Sequence, residues 1–449
     1  MRKTRKTRKT RKTHEKSTDK STDKDIKRDK QYSKIMKEKI MTYEEAYRKL
    51  EKYGQLHVLK YYDELDEGQK AELLQQVEET DFSILQYMDH KNAAAEEKNI
   101  SPIAAMELDE VTRRREEFNK IGLEAVRQGK VAAVLLAGGM GTRLGSDDPK
   151  CMYDIGLTHP VYIMERLVSN LMDVVNEAGG IFVPFFIMTS DKNHDKTVSF
   201  MKKMNYFGYD PSMVFFFKQE MAPAADYNGK VYMETKSRIS TSPNGNGGWF
   251  LSMKRAGLID KVHELGIEWL NTFAVDNVLQ RIADPVFVGA TIASGSACGA
   301  KTVRKAAPDE KVGVMCLQNG RPSIIEYYEM TPELMETKNE NGDPAYNFGV
   351  IMNYLFREKD LERIVDEVLP VHIVEKKIPC LDENGNPVSP AEPNGYKFEQ
   401  LVLDMVRELD SCLPVEVERT REFAPIKNKT GIDSVESARE LCLKNGIEL

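Results

Sequence analysis

No two of the six cysteines stand in a C-x-x-C pair. They are scattered as Cys151, Cys298, Cys316, Cys380, Cys412 and Cys442, which indicates neither a zinc site nor a disulfide framework. Buried, reduced thiols are the expectation. No apolar run reaches the ~20 residues that cross a bilayer. The longest, VAAVLLAGG and IFVPFFIM, fall far short. No charged stretch followed by an apolar one opens the chain as a secretory signal. Positive charge is not in excess: the formal net charge is -7 at pH 7, which argues against general nucleic-acid binding. These absences point to a cytoplasmic protein with no membrane segment.

What is present suits a globular chain, with 41% hydrophobic and 30% charged residues. At 449 residues it exceeds what one hydrophobic core normally serves, so two or three domains are expected. The opening is unlike the rest. RKTRKTRKTRKT repeats a triplet, STDKSTDK repeats a quartet, and residues 1–30 carry 14 Lys/Arg against 5 Asp/Glu. Such a segment buries too little apolar surface to offset its chain entropy, so residues 1–40 read as a disordered basic tail. Met41 offers an alternative start, because helix-forming sequence follows at once. Residues 41–120 read as a helical lobe. Leu50, Tyr53, Leu56, Leu59 and Tyr62 recur at three-residue steps, DEGQKAELLQQVEE is rich in helix formers, and Asp81 suits the N-cap of FSILQYM.

From about residue 131 strands and helices alternate. VAAVLLAG, IFVPFFIMTS, MVFFFK and IEWLNTFAVDN read as strands, and DKNHDKTVSFMKKM and WFLSMKRAGLIDKVHELG as helices. Apolar strands alternating with helices imply an α/β fold with a mostly parallel sheet covered on both faces. Ligands of such sheets lie beyond the carboxyl ends of the strands. Residues 312–330 read as a hairpin turning at QNGR. The core is placed at 121–380. A C-terminal region, 381–449, holds the helix KFEQLVLDMVRELD, the strand PVEVER and a last helix from Val435.

The segment LLAGGMGTRLGSDDPKCMYDIG, Leu135–Gly156, joins a strand to a glycine-rich loop and two cations, Arg143 and Lys150. A dinucleotide fingerprint needs glycine at position 144, where Leu144 stands, and the P-loop pattern is not met either. What remains is a strand, glycines that let backbone N–H groups approach an anion, and charge. L-x-G-G-x-G-T-R-L-G-x-x-x-P-K resembles the signature of sugar nucleotidyltransferases. PKCMYDIG narrows the likeness to the UDPGP-type uridylyltransferase family, and within it to the eukaryotic-type UDP-N-acetylglucosamine and UDP-sugar pyrophosphorylases. The likeness continues in order through GQLHVLKYYDEL, QEMAPA, SPNGNGGWF, FAVDN, CGAKTVRK, IEYYEM, YNFGVIMNYLF, HIVEKKIP, PNGYKFEQLVLD and REFAPIKN, over roughly residues 54–430.

The resemblance implies a Rossmann-like nucleotidyltransferase core that makes a UDP-sugar and diphosphate from UTP and a sugar 1-phosphate. The sugar phosphate attacks the α-phosphorus in line, a task of positioning and charge neutralisation that needs no nucleophilic side chain. Carried over residue by residue, Leu136, Ala137, Gly138 and Gly139 meet the uracil and ribose side. Gly141, Thr142 and Arg143 wrap the triphosphate, and Lys150 bridges phosphates near the α-phosphorus. Gln219 reads uracil, with Met221 and Pro223 as possible walls, and Gly245 allows close approach to the base. Asn246, Gly313, Glu326 and Tyr327 face the sugar. Lys397 grips UTP and Lys427 the sugar phosphate. Asp276 holds Mg²⁺ with phosphate oxygens. Arg143, Lys150, Asp276 and Lys427 form the catalytic set. UTP and sugar 1-phosphate are the expected partners, without nucleic acid or membrane, and a monomer is favoured.

Two departures stand out. Val350 occupies the place of a sugar-contacting asparagine, and Thr241 that of a methionine near the sugar pocket. The sugar is therefore left open among N-acetylglucosamine, glucose, galactose or several of these. The chain also ends at Leu449, before the C-terminal β region of eukaryotic relatives. The competing readings are a nicotinamide oxidoreductase, which fails at Leu144, and a non-catalytic nucleotide-sugar sensor, which the intact cations and Asp276 disfavour.

Overall fold

The computed structural model describes residues 41–88, 99–365 and 369–449, so the basic tail lies outside the described residues. Contacts divide the chain into two compact units. The first gathers the described residues through Ser83 with Ala225–Ser240 and Lys377–Asn394. Its helices are α1 (Tyr43–Lys52) and α2 (Glu67–Glu79), each opened by a reciprocal capping box, Thr42 with Glu45 and Asp66 with Gln69. After α1 the three-residue spacing continues as 3₁₀ turns at Leu56–Leu59 and Tyr62–Glu64, the helix type whose period is three. Asp81 caps the turn that follows, its Oδ1 accepting from Ser83 N at 2.9 Å. Gln55 ties this unit together: its amide donates to Gly229 O at 2.9 Å, and its oxygen accepts from Val231 N at 3.0 Å.

The second unit contains every candidate site residue. Its strands used below are β1 (Ile100–Ser101), β2 (Val131–Leu136), β3 (Phe185–Thr189), β4 (Val214–Lys218), β5 (Trp269–Ala274), β6 (Cys298–Arg304), β7 (Val314–Gln318), β8 (Arg321–Ile325), β9 (Phe348–Arg357), β10 (His372–Lys376), β11 (Gly395–Glu399) and β12 (Cys412–Glu416), beside a short ladder of Met221–Pro223 with Thr241–Pro243. The helices used below are α3 (Arg115–Arg127), α4 (Ile163–Glu177), α5 (His194–Lys203), α6 (Trp249–Arg255), α7 (Leu258–Glu264), α8 (Pro285–Ser294), α9 (Val402–Glu408), α10 (Arg419–Glu422) and α11 (Val435–Lys444). The main sheet runs β1-β7-β9-β5-β2-β3-β4, with β8 on β7 and β6 and β12 joining through β9. The block β5-β2-β3-β4 is parallel, as its apolar runs require. The long strand β9 runs antiparallel to β5 and β6.

Both faces of β2 are covered. Val131, Ala133 and Leu135 join a core with α3, α4, α8 and α11. Ala132, Val134 and Leu136 join another with α6, α7 and α9. Each such Val or Leu side chain contributes roughly 1.5–3 kcal/mol on full burial. The hairpin β7-β8 turns at Asn319 and Gly320, with φ of 53° and 79°, the type I′ geometry that Asn-Gly favours. Two helix expectations are corrected. The segment 249–266 is two helices, broken at Gly257 with φ 70°. KFEQ is not helical: Lys397–Glu399 lie in β11 against β10, and the helix starts at Val402, where Asn246 Oδ1 accepts from Val402 N at 2.9 Å. All six cysteines are free and buried. Among the described residues no helix is long and apolar enough to cross a membrane.

Candidate active site

Register brings the carboxyl ends of the parallel strands together. Leu136 pairs with Ala274 and with Met188, and Thr189 pairs with Lys218. The segments that follow carry the Gly138 loop, Gln219 and Asp276, so three distant motifs share one sheet edge.

The Gly138 loop is folded on itself. Met140 bridges Pro149, Gly141 N donates to Asp148 O at 2.8 Å, and Lys150 N donates to Gly139 O at 3.1 Å. Leu144 is buried in the core of β2, and Gly145 follows with φ 77°. The position where a dinucleotide loop requires glycine is thus the hydrophobic anchor of this loop. Ala137 is engaged on both sides: its N–H donates to Met188 O, and its carbonyl accepts from Asn193 Nδ2 at 2.8 Å. The N–H groups of Gly138 and Gly139 donate to no acceptor among the described residues, which leaves them to a ligand.

Gln219 is buried and anchored through its N–H to Thr189 O at 2.7 Å. Its side-chain amide donates to Gly245 O. A Cβ at position 138 would lie 2.7 Å from Gln219 Oε1, so glycine there lets the end of the Gln219 side chain keep its place. Gly245 has φ 88° and ψ 169°, and a Cβ there would lie 2.1 Å from Gln400 O. Asn246 gives its oxygen to Val402 N, which leaves its amide as the group able to reach a ligand. Met221 and Pro223 pair with Pro243 and Thr241 across a short ladder beside Gln219.

Arg143 is exposed and has no ion-pair partner among the described residues. Lys150 is partly buried. Burial lowers its pKa from the ordinary lysine value; Asp276 opposes the shift, and the like charges of Arg143 and Lys427 add to it. These interactions place all four charged groups in one neighbourhood. Asp276 follows β5, is partly exposed, and its carboxylate has no partner among the described residues. Its carbonyl accepts from Ile426 N at 2.9 Å, which brings the next residue, Lys427, to the same edge. Lys427 pairs with Asp433 at 3.0 Å.

Gly313, Glu326 and Val350 converge. A Cβ at Gly313 would lie 3.5 Å from Val350 Cγ2 and 3.6 Å from Glu326 Oε2. Burial raises the pKa of Glu326, Glu329 and Asp404 add to the rise, and His372 and Lys427 oppose it. Tyr327 is exposed, in edge contact with Tyr328 at 5.3 Å between centroids. Lys397 stands on β11 opposite Val374; burial lowers its pKa, and Lys192, in the turn after β3, adds to the fall. It lies near that turn, away from the group around Lys150.

Sequence reasoning missed the residues that hold these groups. Asn193 braces the Gly138 loop, Asp433 pairs Lys427, and His372 and Asp404, 2.8 Å apart, lie near Glu326. Their partners are remote in sequence, and only GID, a turn signal before Ser434, hinted at one of them.

Residues 81–442 match the family described as UTP–glucose-1-phosphate uridylyltransferase. The chain is 34% identical over 423 residues to UDP-N-acetylhexosamine pyrophosphorylase-like protein 1 of Homo sapiens, covering 88% of this chain and 83% of that protein. It is 37% identical over 371 residues to UDP-N-acetylglucosamine pyrophosphorylase of Saccharomyces cerevisiae, covering 79% and 77%. The crystal structure of the uridine diphosphate N-acetylglucosamine pyrophosphorylase from Trypanosoma brucei matches with a TM-score of 0.77 at 25% identity, covering 88% of this chain and 83% of that one.

Proposed function

The chain belongs to the UTP–glucose-1-phosphate uridylyltransferase family, and from that premise we propose how its site works and which sugar it takes. The enzyme is a UTP:sugar-1-phosphate uridylyltransferase, forming a UDP-sugar. The observation that carries the site reading is the convergence of Arg143, Lys150, Asp276 and Lys427 at the carboxyl edge of the parallel strands.

In this reading uracil lies against Gly138 and Gln219, with Gly245 allowing the base close approach. The amides of Gly138 and Gly139 serve the nucleotide, and Gly141, Thr142 and Arg143 face its outer phosphates together with Lys397. Lys427 holds the sugar phosphate, and Lys150 stands between the two. A phosphate oxygen of the sugar 1-phosphate attacks the α-phosphorus of UTP, the bond to the β-phosphate breaks, and diphosphate leaves. Lys150 and Arg143 neutralise charge as it develops on the α-phosphate and the leaving group. Asp276, a hard oxygen donor without a protein partner, suits Mg²⁺ completed by phosphate oxygens and water. Mg²⁺ would supply charge neutralisation and in-line alignment of the phosphates.

N-acetylglucosamine 1-phosphate is the proposed sugar, supported by the names of the relatives. Glucose 1-phosphate is the second reading, favoured by the apolar Val350 beside Gly313. A cytoplasmic monomer completes the proposal. With UTP labelled at the α-phosphate, label should pass to the UDP-sugar with none retained on protein. A labelled protein intermediate would overturn direct transfer.

A further inference from the structure

One buried cation lies under the site without a part in the roles above. Lys301, on β6, has a side chain with 0% exposure. Its ammonium donates to Asp284 Oδ2 at 3.1 Å and to the carbonyl of Arg281 at 3.0 Å, and it pairs with Glu422 Oε2. An ammonium buried alone is heavily penalised, so three acceptors around it mark a built arrangement. Asp284 is also held from its own side, accepting from Val286 N at 3.2 Å at the start of α8. Glu422 Oε2 further accepts from Arg281 N at 3.3 Å. The last residue of α10 is therefore fixed to the loop that follows Asp276.

From Glu422 the chain runs straight to Lys427 along the Asp276 turn. Asn277 Nδ2 donates to Glu422 O at 2.7 Å, Ala424 N donates to Asn277 Oδ1 at 2.9 Å, and Ile426 N donates to Asp276 O at 2.9 Å. The segment bearing Lys427 is thus laid rung by rung on the turn bearing Asp276, and its first rung is made by the carbonyl of Glu422, the residue whose carboxylate meets Lys301.

We propose that Glu422, held by Lys301, is a positioning residue that fixes the separation between Asp276 and Lys427. This rests on the reading of Lys427 as the grip on the sugar phosphate. The elements that carry the UTP contacts, namely the Gly138 loop, Gln219 and Lys397, are anchored by other bonds. Loosening Glu422 should therefore act on one substrate and not on the other.

The full chain is compared with Glu422→Ala and Glu422→Gln. For Glu422→Ala, KM for the sugar 1-phosphate is expected to rise and kcat to fall by on the order of 10-fold each, with KM for UTP unchanged. Glu422→Gln keeps an oxygen able to accept the same bonds and should recover most of both. A pair that only stabilises the core would lower kcat in proportion to the folded fraction and leave both KM values unchanged; that result, or equal impairment by the two variants, overturns the proposal. Amide exchange at Ala424 and Ile426 is read on the same proteins and needs no turnover. Faster exchange in Glu422→Ala is expected, and unchanged exchange overturns the coupling. A parent enzyme that released no diphosphate would fail the function read above, while the exchange result would still decide this inference.

Discussion

The amide of Ile426 donates to the carbonyl of Asp276 at 2.9 Å, so the strand end proposed to hold the metal and the segment bearing Lys427 are joined by one backbone bond. Asp276 uses its main chain to build the site and keeps its carboxylate free of partners among the described residues. Changing Asp276 to Ala should then lower kcat by about 10²–10³-fold, as loss of a central electrostatic group does elsewhere. The melting temperature should stay near the parent value. Calorimetry and steady-state kinetics on the same preparation check both halves.

If Lys150 works as proposed, it should set the alkaline limit of the free enzyme. Its ammonium form is the one proposed to meet phosphates, and burial lowers its folded pKa below the ordinary lysine value. Below that pKa the charge is present; as pH rises through it, the charge and the activity are lost. The pH profile of kcat/KM should turn down before 10.5, the ordinary value, and Lys150→Arg should move that limb upward.

Gly138 and Gly245 fail differently. At Gly138 an added Cβ meets the far end of Gln219, which can swing aside at the expense of its bond to Gly245. Gly138→Ala should raise KM for UTP by about 10-fold, the price of one displaced contact, with little loss of stability. At Gly245 the added Cβ meets backbone at 2.1 Å in a conformation that only glycine adopts readily. Gly245→Ala should cost about 1–3 kcal/mol or more of stability, read by denaturant unfolding.

Much of this was legible because burial leaves a plain signature. The runs at β2 and β3 are almost wholly apolar because both faces of the sheet are covered, and Asn319-Gly320 announces its turn by the positive φ values it tolerates well. Leu144 was harder: it reads as a missing glycine until its burial in the core of β2 explains it. KFEQ carries helix-forming residues, yet pairing with β10 and the close approach of Gln400 to Gly245 hold it extended. The bracing by Asn193 and Glu422 was not legible, because each bond joins segments whose meeting only the fold decides.

Val350 tests the sugar pocket. It lies beside Gly313 and Glu326 and offers no hydrogen bond. Val350→Asn should raise the ratio of kcat/KM for N-acetylglucosamine 1-phosphate over glucose 1-phosphate by about 10-fold, within the range a single polar contact gives. An unchanged ratio would place sugar selection elsewhere.

The most direct measurement is diphosphate release from UTP and Mg²⁺ with a panel of sugar 1-phosphates. The account predicts steady release with N-acetylglucosamine 1-phosphate or glucose 1-phosphate, abolished by chelating the metal. Silence across the panel, with UTP still bound, would contradict it and leave a nucleotide-sugar sensor in its place.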